Sequence, residues 1–342
     1  MFHPKILVSL LLLILPVVVL VGFSEVMGVR LIDRIATTLC INLILVLGLQ
    51  VFMGNSGILS FAHIAFMGIG AYTSGVLSMP LQMKSMALPD LYQVMVAIEI
   101  SPFAGIIVGG IAAALVSAVV SYPLMRLSDA AAVITSFALL MVLHTIMIHW
   151  NAVTNGPRTL FGVQSATTLP IAAVAAILMI VVAMMFKESR AGILLRAVRD
   201  DEVAAGAIGA NVSRLRWQGF VLSALMAGIG GGVWAHFITS FSPQAFYLKE
   251  TFVILGMLVI GGAATVSGAV FGTFAVTALF EGLRATENAI NIAGIFSKTL
   301  VGLTEVVLAL SMIGILILRP GGIVGDREVG AMPVIRKFFR IR

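Results

Sequence analysis

Ten apolar stretches, most of them close to the length that crosses a bilayer, divide this chain: residues 6–22, 35–53, 58–79, 102–122, 130–150, 169–186, 217–238, 249–266, 268–284 and 301–318. A transmembrane α-helix needs about 20 residues to cross ~30 Å of hydrocarbon. In that medium only helices or closed barrels satisfy every backbone polar group. The expected fold is all-α: a polytopic membrane protein of about ten transmembrane helices, some short or broken, forming a single domain over 1–325, with a basic tail over 326–342.

Charge supports that assignment. Only 11% of the 342 residues are charged, against about 25% in soluble domains, because a charge facing lipid costs several kcal/mol. The net charge of +6 does not indicate nucleic acid, since phosphate binding needs a clustered, water-facing basic patch. The basic residues are instead sorted by side. With both termini placed in the cytoplasm, the inner side holds twice as many of the 21 Lys and Arg residues as the outer side, although Arg30 and Arg34 fall outside. That asymmetry is the one that orients membrane helices. No small-x-small cleavage pattern follows the first stretch, so a retained helix is expected there rather than a signal peptide. Cys40, the single cysteine, lies in an apolar run and has no partner for a disulfide or a metal site.

The longest polar stretch between spans is 187–216. Within it the segment from Arg199 through Asp200, Asp201 and Glu202 to Asn211 has the marks of one short helix. Asp200 or Asp201 can accept hydrogen bonds from the free amides of the first turn, and three acids there complement the positive helix end. Gly209 can supply the left-handed residue that stops it. The side chains between are nearly all small, which suits either a connector on the membrane surface or a helix that docks into a cytoplasmic motor. The order Glu202-x-Ala204-Ala205-x-x-x-Gly209 resembles the E-A-A-x-x-x-G coupling loop of ABC importer permeases, with one residue inserted after the glutamate. On that resemblance Arg199, Asp200, Asp201, Glu202, Ala204, Ala205 and Gly209 are candidate ATPase-coupling residues.

A second informative stretch runs from Gly48 to Tyr72. Gly54, Gly57, Gly68 and Gly70 weaken a continuous helix there, and in a membrane such breaks persist only where protein or water satisfies the freed backbone. Gln50, Gly54, Asn55, Ser56, Gly57, Ser60 and His63 are therefore candidates for the wall of a translocation path. Close helix packing through small residues is the competing reading of the glycines. Gly256, Gly261, Gly262, Gly268 and Gly272 form a second cluster in the later half, and broken helices in both halves are a transporter pattern. Glu281 and Arg284, three apart, can pair on one helix face.

Four blocks together resemble the M-type permease subunits of branched-chain amino acid ABC importers, a family that includes urea and short-amide permeases. They are Gly48 to Tyr72; Thr154-Asn155-Gly156-Pro157, placed like a T-G-G-P loop with asparagine for a usual glycine; Ser189 to Phe220, with Arg196-Ala197-Val198-Arg199-Asp200-Asp201-Glu202; and Arg319-Pro320-Gly321-Gly322-Ile323-Val324-Gly325. The resemblance implies a bacterial inner-membrane complex: a second homologous permease, two cytoplasmic ATPase subunits that hold ATP and Mg, and a periplasmic solute-binding protein. This chain then binds no cofactor and no metal, and branched-chain or related amino acids are the expected solutes.

Two other classes compete. An ion-coupled secondary transporter would have the same hydropathy, but ion coupling usually places Asp or Glu deep among the helices, whereas Asp129, Glu250, Glu281 and Glu305 fall near span ends. An enzyme would need convergent groups. His144 and His149 lie about 140° apart around a helix, unlike the two-histidine zinc face, and no G-x-x-x-x-G-K-[ST] phosphate loop occurs.

Overall fold

The computed structural model describes residues 4–127, 129–292, 302–319, 321–325 and 328–331. The expected basic tail, both chain ends and the Glu305 side chain lie largely or wholly outside the described residues. The first half contains α1 (Pro4–Met27), α2 (Arg30–Leu49), α3 (His63–Ser78), short α4 (Leu81–Ala87) and α5 (Gln93–Val96), α6 (Pro102–Leu124), α7 (Asp129–His149) and short α8 (Asn151–Thr154). The second half contains α9 (Leu169–Glu188), α10 (Arg190–Asp200), α11 (Glu202–Ala207), α12 (Val212–Ile238), α13 (Leu248–Gly261), α14 (Val266–Ile292) and α15 (Leu303–Leu318). Each of the ten apolar stretches falls on one long helix. Among the described residues, eight segments are long and apolar enough to cross a bilayer, while α3 and α15 have 16 residues each. The chain is an all-α, multi-pass membrane protein.

Burial separates the lipid-facing helices from the central ones. On α1, Leu7, Leu11 and Leu15 are exposed at i, i+4 spacing while Leu13 and Val17 are buried, the pattern of a helix with one face to lipid. α2 is buried along its whole later half, from Leu43 to Leu49. It packs between α9, α12 and α14. The centre is built from α3, α6 and α12, whose backbones touch through glycines. A β-carbon on Gly70 would lie 2.1 Å from the Gly228 carbonyl oxygen, and one on Gly109 would lie 2.6 Å from that of Gly70. Small residues permit such approach in membranes, where packing and interhelical hydrogen bonds replace the hydrophobic effect. His236 adds a polar tie, with Nε2 2.9 Å from Ser74 Oγ on α3 and Nδ1 2.8 Å from the Gln164 carbonyl oxygen.

Several boundaries differ from the apolar stretches for identifiable reasons. α3 begins at His63 rather than near 58, because Gly57 adopts φ +75° and the chain runs non-helically to Ala62. α12 begins at Val212, capped by the Asn211 side chain accepting from the Arg214 amide at 3.0 Å. Its first turns are polar, and helix continues beyond the apolar window.

Asn155 resolves the departure from the T-G-G-P pattern. It ends α8 at φ +63°, a left-handed conformation that asparagine tolerates and most other residues adopt at a cost of about 1–2 kcal/mol. Asn155→Gly is expected to unfold at the wild-type temperature in detergent, and Asn155→Val to lose about 1–2 kcal/mol. Equal stabilities for the two variants would contradict that account.

Candidate functional site

α2 does not simply stop. Its last turn loosens into a π-helical turn over Gln50–Gly54, a distortion that often marks functional sites. The later glycine cluster makes a second break. α13 ends at Gly261, Gly262 takes φ +114°, and α14 starts at Val266. The two breaks touch: a β-carbon on Gly54 would lie 2.2 Å from the Ala263 carbonyl oxygen. The segment after α15 closes over the second break, with the Ile323 and Val324 amides donating to the Ile260 and Gly261 carbonyls at 2.9 and 3.1 Å. Three of the four sequence blocks therefore converge at one place, while Thr154–Pro157 lies elsewhere.

Cations from the 187–216 loop hold this junction. Arg199 Nη1 donates to the Gly54 carbonyl oxygen at 2.8 Å, and Arg196 Nη1 donates to the Lys187 carbonyl oxygen at 2.6 Å and to Asn55 Oδ1 at 3.4 Å. Lys187 Nζ donates to the Ala264 carbonyl oxygen at 3.0 Å and pairs with Glu328. Glu328 in turn accepts from the Val266 and Ser267 amides at 2.9 and 3.0 Å, so one carboxylate satisfies two of the free first-turn donors of α14. Burial alone would raise the Glu328 pKa. The Lys187 charge and the hydrogen bonds from Lys187 and Ser267 outweigh it and hold the carboxyl below its ordinary range. At Arg196, burial is the leading cause of a lowered pKa, partly offset by Glu188 and Glu328.

The expected single helix from Arg199 to Asn211 is divided in two. Arg199 and Asp200 close α10 and pair with each other at 3.3 Å, so Asp200 does not serve the helix that follows. The cap is Asp201, whose Oδ1 accepts from the Ala204 amide at 2.9 Å. α11 ends at Gly209 with φ +89°. Ala205 packs inward against Leu195, Val198 and Leu215. Val203 and Ile208 are exposed, and Gly206 and Gly209 have nothing within 4 Å of an added β-carbon. Glu202 does not stand free: Oε2 lies 2.9 Å from Nη2 of the buried Arg216 on α12. Ala204, on the same short helix, is exposed.

The seven path candidates are mostly buried around the first break. Asn55 Nδ2 donates to the Val51 carbonyl oxygen at 2.9 Å, and Ser56 Oγ accepts from the Ile58 amide at 3.2 Å. His63 Nε2 lies 2.9 Å from the Leu45 carbonyl oxygen. A carbonyl only accepts, so Nε2 carries the proton and Nδ1 accepts from Ser223 Oγ at 3.1 Å. The Gln50 carboxamide and Ser60 Oγ are buried with no hydrogen-bond partner among the described residues, and such groups are uncommon without a functional reason. Gly54 and Gly57 permit close approach: a β-carbon on Gly57 would lie 2.7 Å from Arg199 Cγ.

None of the seven lines the large cleft that reaches toward them. That cleft, about 550 Å³, follows Leu31, Arg34, Thr38, Asn42 and Leu45 along α2, a run of about 21 Å at 1.5 Å per residue. Lys249, Glu250, Ile254 and Met257 of α13 face it, with Thr277, Glu281, Arg284 and Asn288 of α14. Ile64 and Met67 of α3 close its deep end beside Leu45, whose carbonyl is the one His63 binds. Glu281 and Arg284 both line the cleft but form no ion pair with each other among the described residues, so the pairing expected from their spacing is not made. The i, i+4 spacing of Arg34, Thr38 and Asn42 is the sequence signal for this polar wall.

Comparison with known proteins agrees with this architecture. The family described as the permease component of branched-chain amino acid transport systems matches residues 31–316. The high-affinity branched-chain amino acid transport system permease protein LivM of Escherichia coli is 26% identical over 262 residues, covering 67% of this chain and 58% of LivM. The match thus spans little more than half of that relative's length. The nucleoside ABC transporter permease protein NupC of Lactococcus lactis is 31% identical over 103 residues, 29% of this chain and 32% of NupC. The guanosine ABC transporter permease protein NupQ of Bacillus subtilis is 34% identical over 70 residues, 20% of this chain and 22% of NupQ. No solved structure matches.

Proposed function

Since the chain belongs to the permease component family of branched-chain amino acid transport systems, we propose that it forms half of the pore of an ATP-driven importer in a bacterial inner membrane, with both termini in the cytoplasm. The other half is a second, homologous permease. Two cytoplasmic ATPases, which hold ATP and Mg, dock on α11 and on the corresponding loop of the second permease, and a periplasmic binding protein delivers the solute. The observation that carries the reading is the junction of two broken helices, held by Arg196 and Arg199 of the same loop that exposes the apolar Val203 and Ile208. A large exposed apolar pair on a short capped helix suits a protein cleft better than water.

Solute would enter the cleft along α2 and meet the break beyond Leu45. There Gln50, Asn55, Ser56, Ser60 and His63 offer neutral polar groups, and Gly54 and Gly57 let Ala263 and Arg199 close against the break. A passage with hydroxyls and amides at its narrow part favours a neutral or zwitterionic solute over an ion, and branched-chain amino acids fit that class. Nucleosides are the second reading, favoured by the nucleoside permeases among the relatives. Competition in ATP-energised vesicles separates the two. Leucine, isoleucine and valine are expected to displace one another and to be unaffected by guanosine. Uptake of guanosine that ignores leucine would move the assignment to nucleosides.

A further inference from the structure

A helix break made of glycines presents a mechanical problem. Gly54 and Gly57 have no side chains, so at those two positions a moving loop can pull only on the backbone. Arg196 and Arg199, one turn apart on α10 and hence on one face, take hold of it. Arg199 donates to the Gly54 carbonyl at 2.8 Å and its stem lies over Gly57, while Arg196 reaches Asn55 Oδ1 at 3.4 Å. Gly54 is the last residue of the π-helical turn, where carbonyls lack helical partners, and a guanidinium is a fork of five donors that stays charged even when partly buried.

Arg196 is also linked to the second break, through Lys187. Arg196 also binds the Lys187 carbonyl, and Lys187 holds Ala264 and Glu328, which caps α14. α10 and α11 are tied to each other: Ala205 packs on Leu195 and Val198, and the Asp201 amide donates to the Ala197 carbonyl at 2.9 Å. Displacing α11 therefore displaces α10 and its arginines.

We propose that Arg196 and Arg199 form the transmission link of this permease, converting movement of the α10–α11 segment into movement of the first helix break through hydrogen bonds to the Gly54 carbonyl and Asn55, and of the second through Arg196 and Lys187. They are positioning residues and touch no solute. The inference rests on the reading that α11 docks an ATPase.

The readout is solute imported per ATP hydrolysed, measured together in proteoliposomes holding the complete complex. Arg199→Ala and Arg196→Ala are each expected to lower this ratio at least about fivefold, the lower range of coupling between sites. Arg199→Lys, which keeps the charge and loses the fork, should fall between. A purely structural role would remove folded complex, lower both rates alike and leave the ratio unchanged. Should Arg199→Ala give no complex, Arg199→Lys and Arg196→Gln decide by the same ratio. Wild-type uptake driven by ATP, with ratios in these variants equal to the wild type, overturns the link alone. Wild-type uptake that ignores ATP overturns the docking reading, and the link with it.

Discussion

Replacing Gly231 with alanine is expected to leave little folded protein, whereas the same change at Gly22 has no effect. The added β-carbon at Gly231 would lie 2.0 Å from the Met67 carbonyl oxygen and 3.1 Å from the Ala71 amide nitrogen. Both obstructing atoms are backbone, so no rotamer change relieves the contact and α3 and α12 must separate. Overpacking a core typically costs about 1–3 kcal/mol where side chains can yield. Here the neighbouring approaches at Gly70, Gly109 and Gly228 depend on the same spacing, and the loss lies at or above the top of that range. Gly22, on lipid-facing α1, has nothing within 4 Å of an added β-carbon. Yield of monodisperse protein in detergent and the thermal midpoint report the difference. Equal behaviour of the two variants would mean that α3 and α12 do not pack through Gly231.

The second large effect is expected at Lys187. Its side chain and that of Glu328 are 8% and 12% exposed, so removing the lysine leaves a carboxylate with little water and without its hydrogen-bonded cation. Breaking a buried pair on one side costs about 3–5 kcal/mol, and Lys187→Met is expected to lose that order of stability. The pH dependence identifies the cause. In the wild type the Glu328 pKa is depressed, so its contribution is present above the ordinary carboxylate range and is lost as pH falls through the lowered pKa. Without Lys187 the remaining burial pushes the pKa upward, the carboxyl takes up a proton more readily, and the deficit narrows as pH falls. A deficit that stays constant from pH 8 to about pH 4, near the ordinary glutamate value, would show that the charge pair is not its source. Lys187→Met with Glu328→Gln should recover part of the loss, because the neutral carboxamide can still accept from the α14 amides.

The two sites differ in how far the sequence discloses them. The number and place of the long helices were legible because lipid imposes a length on every span and excludes charge from it, so hydropathy alone locates Leu169–Glu188 or Pro102–Leu124. The boundaries were less so where helix continues into water, as at Val212 and at Ile292. There backbone hydrogen bonding persists after the apolar pattern has ended. The Asp201 cap and the Gly209 stop were readable from local rules, since each acts within a few residues of itself. The separate helix Arg190–Asp200 was hidden inside a stretch that looks like polar loop, although Gly192, Leu195 and Val198 mark its buried face.

The contacts that make the junction could not be read at all. Lys187 and Glu328 are 141 residues apart, and Arg199 and Gly54 are 145 apart, and nothing in either neighbourhood names the other. The glycine clusters were visible in both halves, but that Gly54 abuts Ala263 follows only from the packing of α2 against α13 and α14. The polar cleft shows the same division. Arg34, Thr38 and Asn42 recur at helical spacing in the sequence, while the facing residues Lys249, Glu250 and Thr277 are supplied by the tertiary fold.

Whether this chain is a pore half driven by ATP hydrolysed on other subunits is decided by purifying it with its native partners and reconstituting it without any ion gradient. ATP-hydrolysing subunits are expected to co-purify, and solute uptake is expected to require ATP and to persist when proton and sodium gradients are collapsed. If no ATPase accompanies the chain and uptake follows an imposed ion gradient, the chain is an ion-coupled carrier and α11 is not a coupling helix.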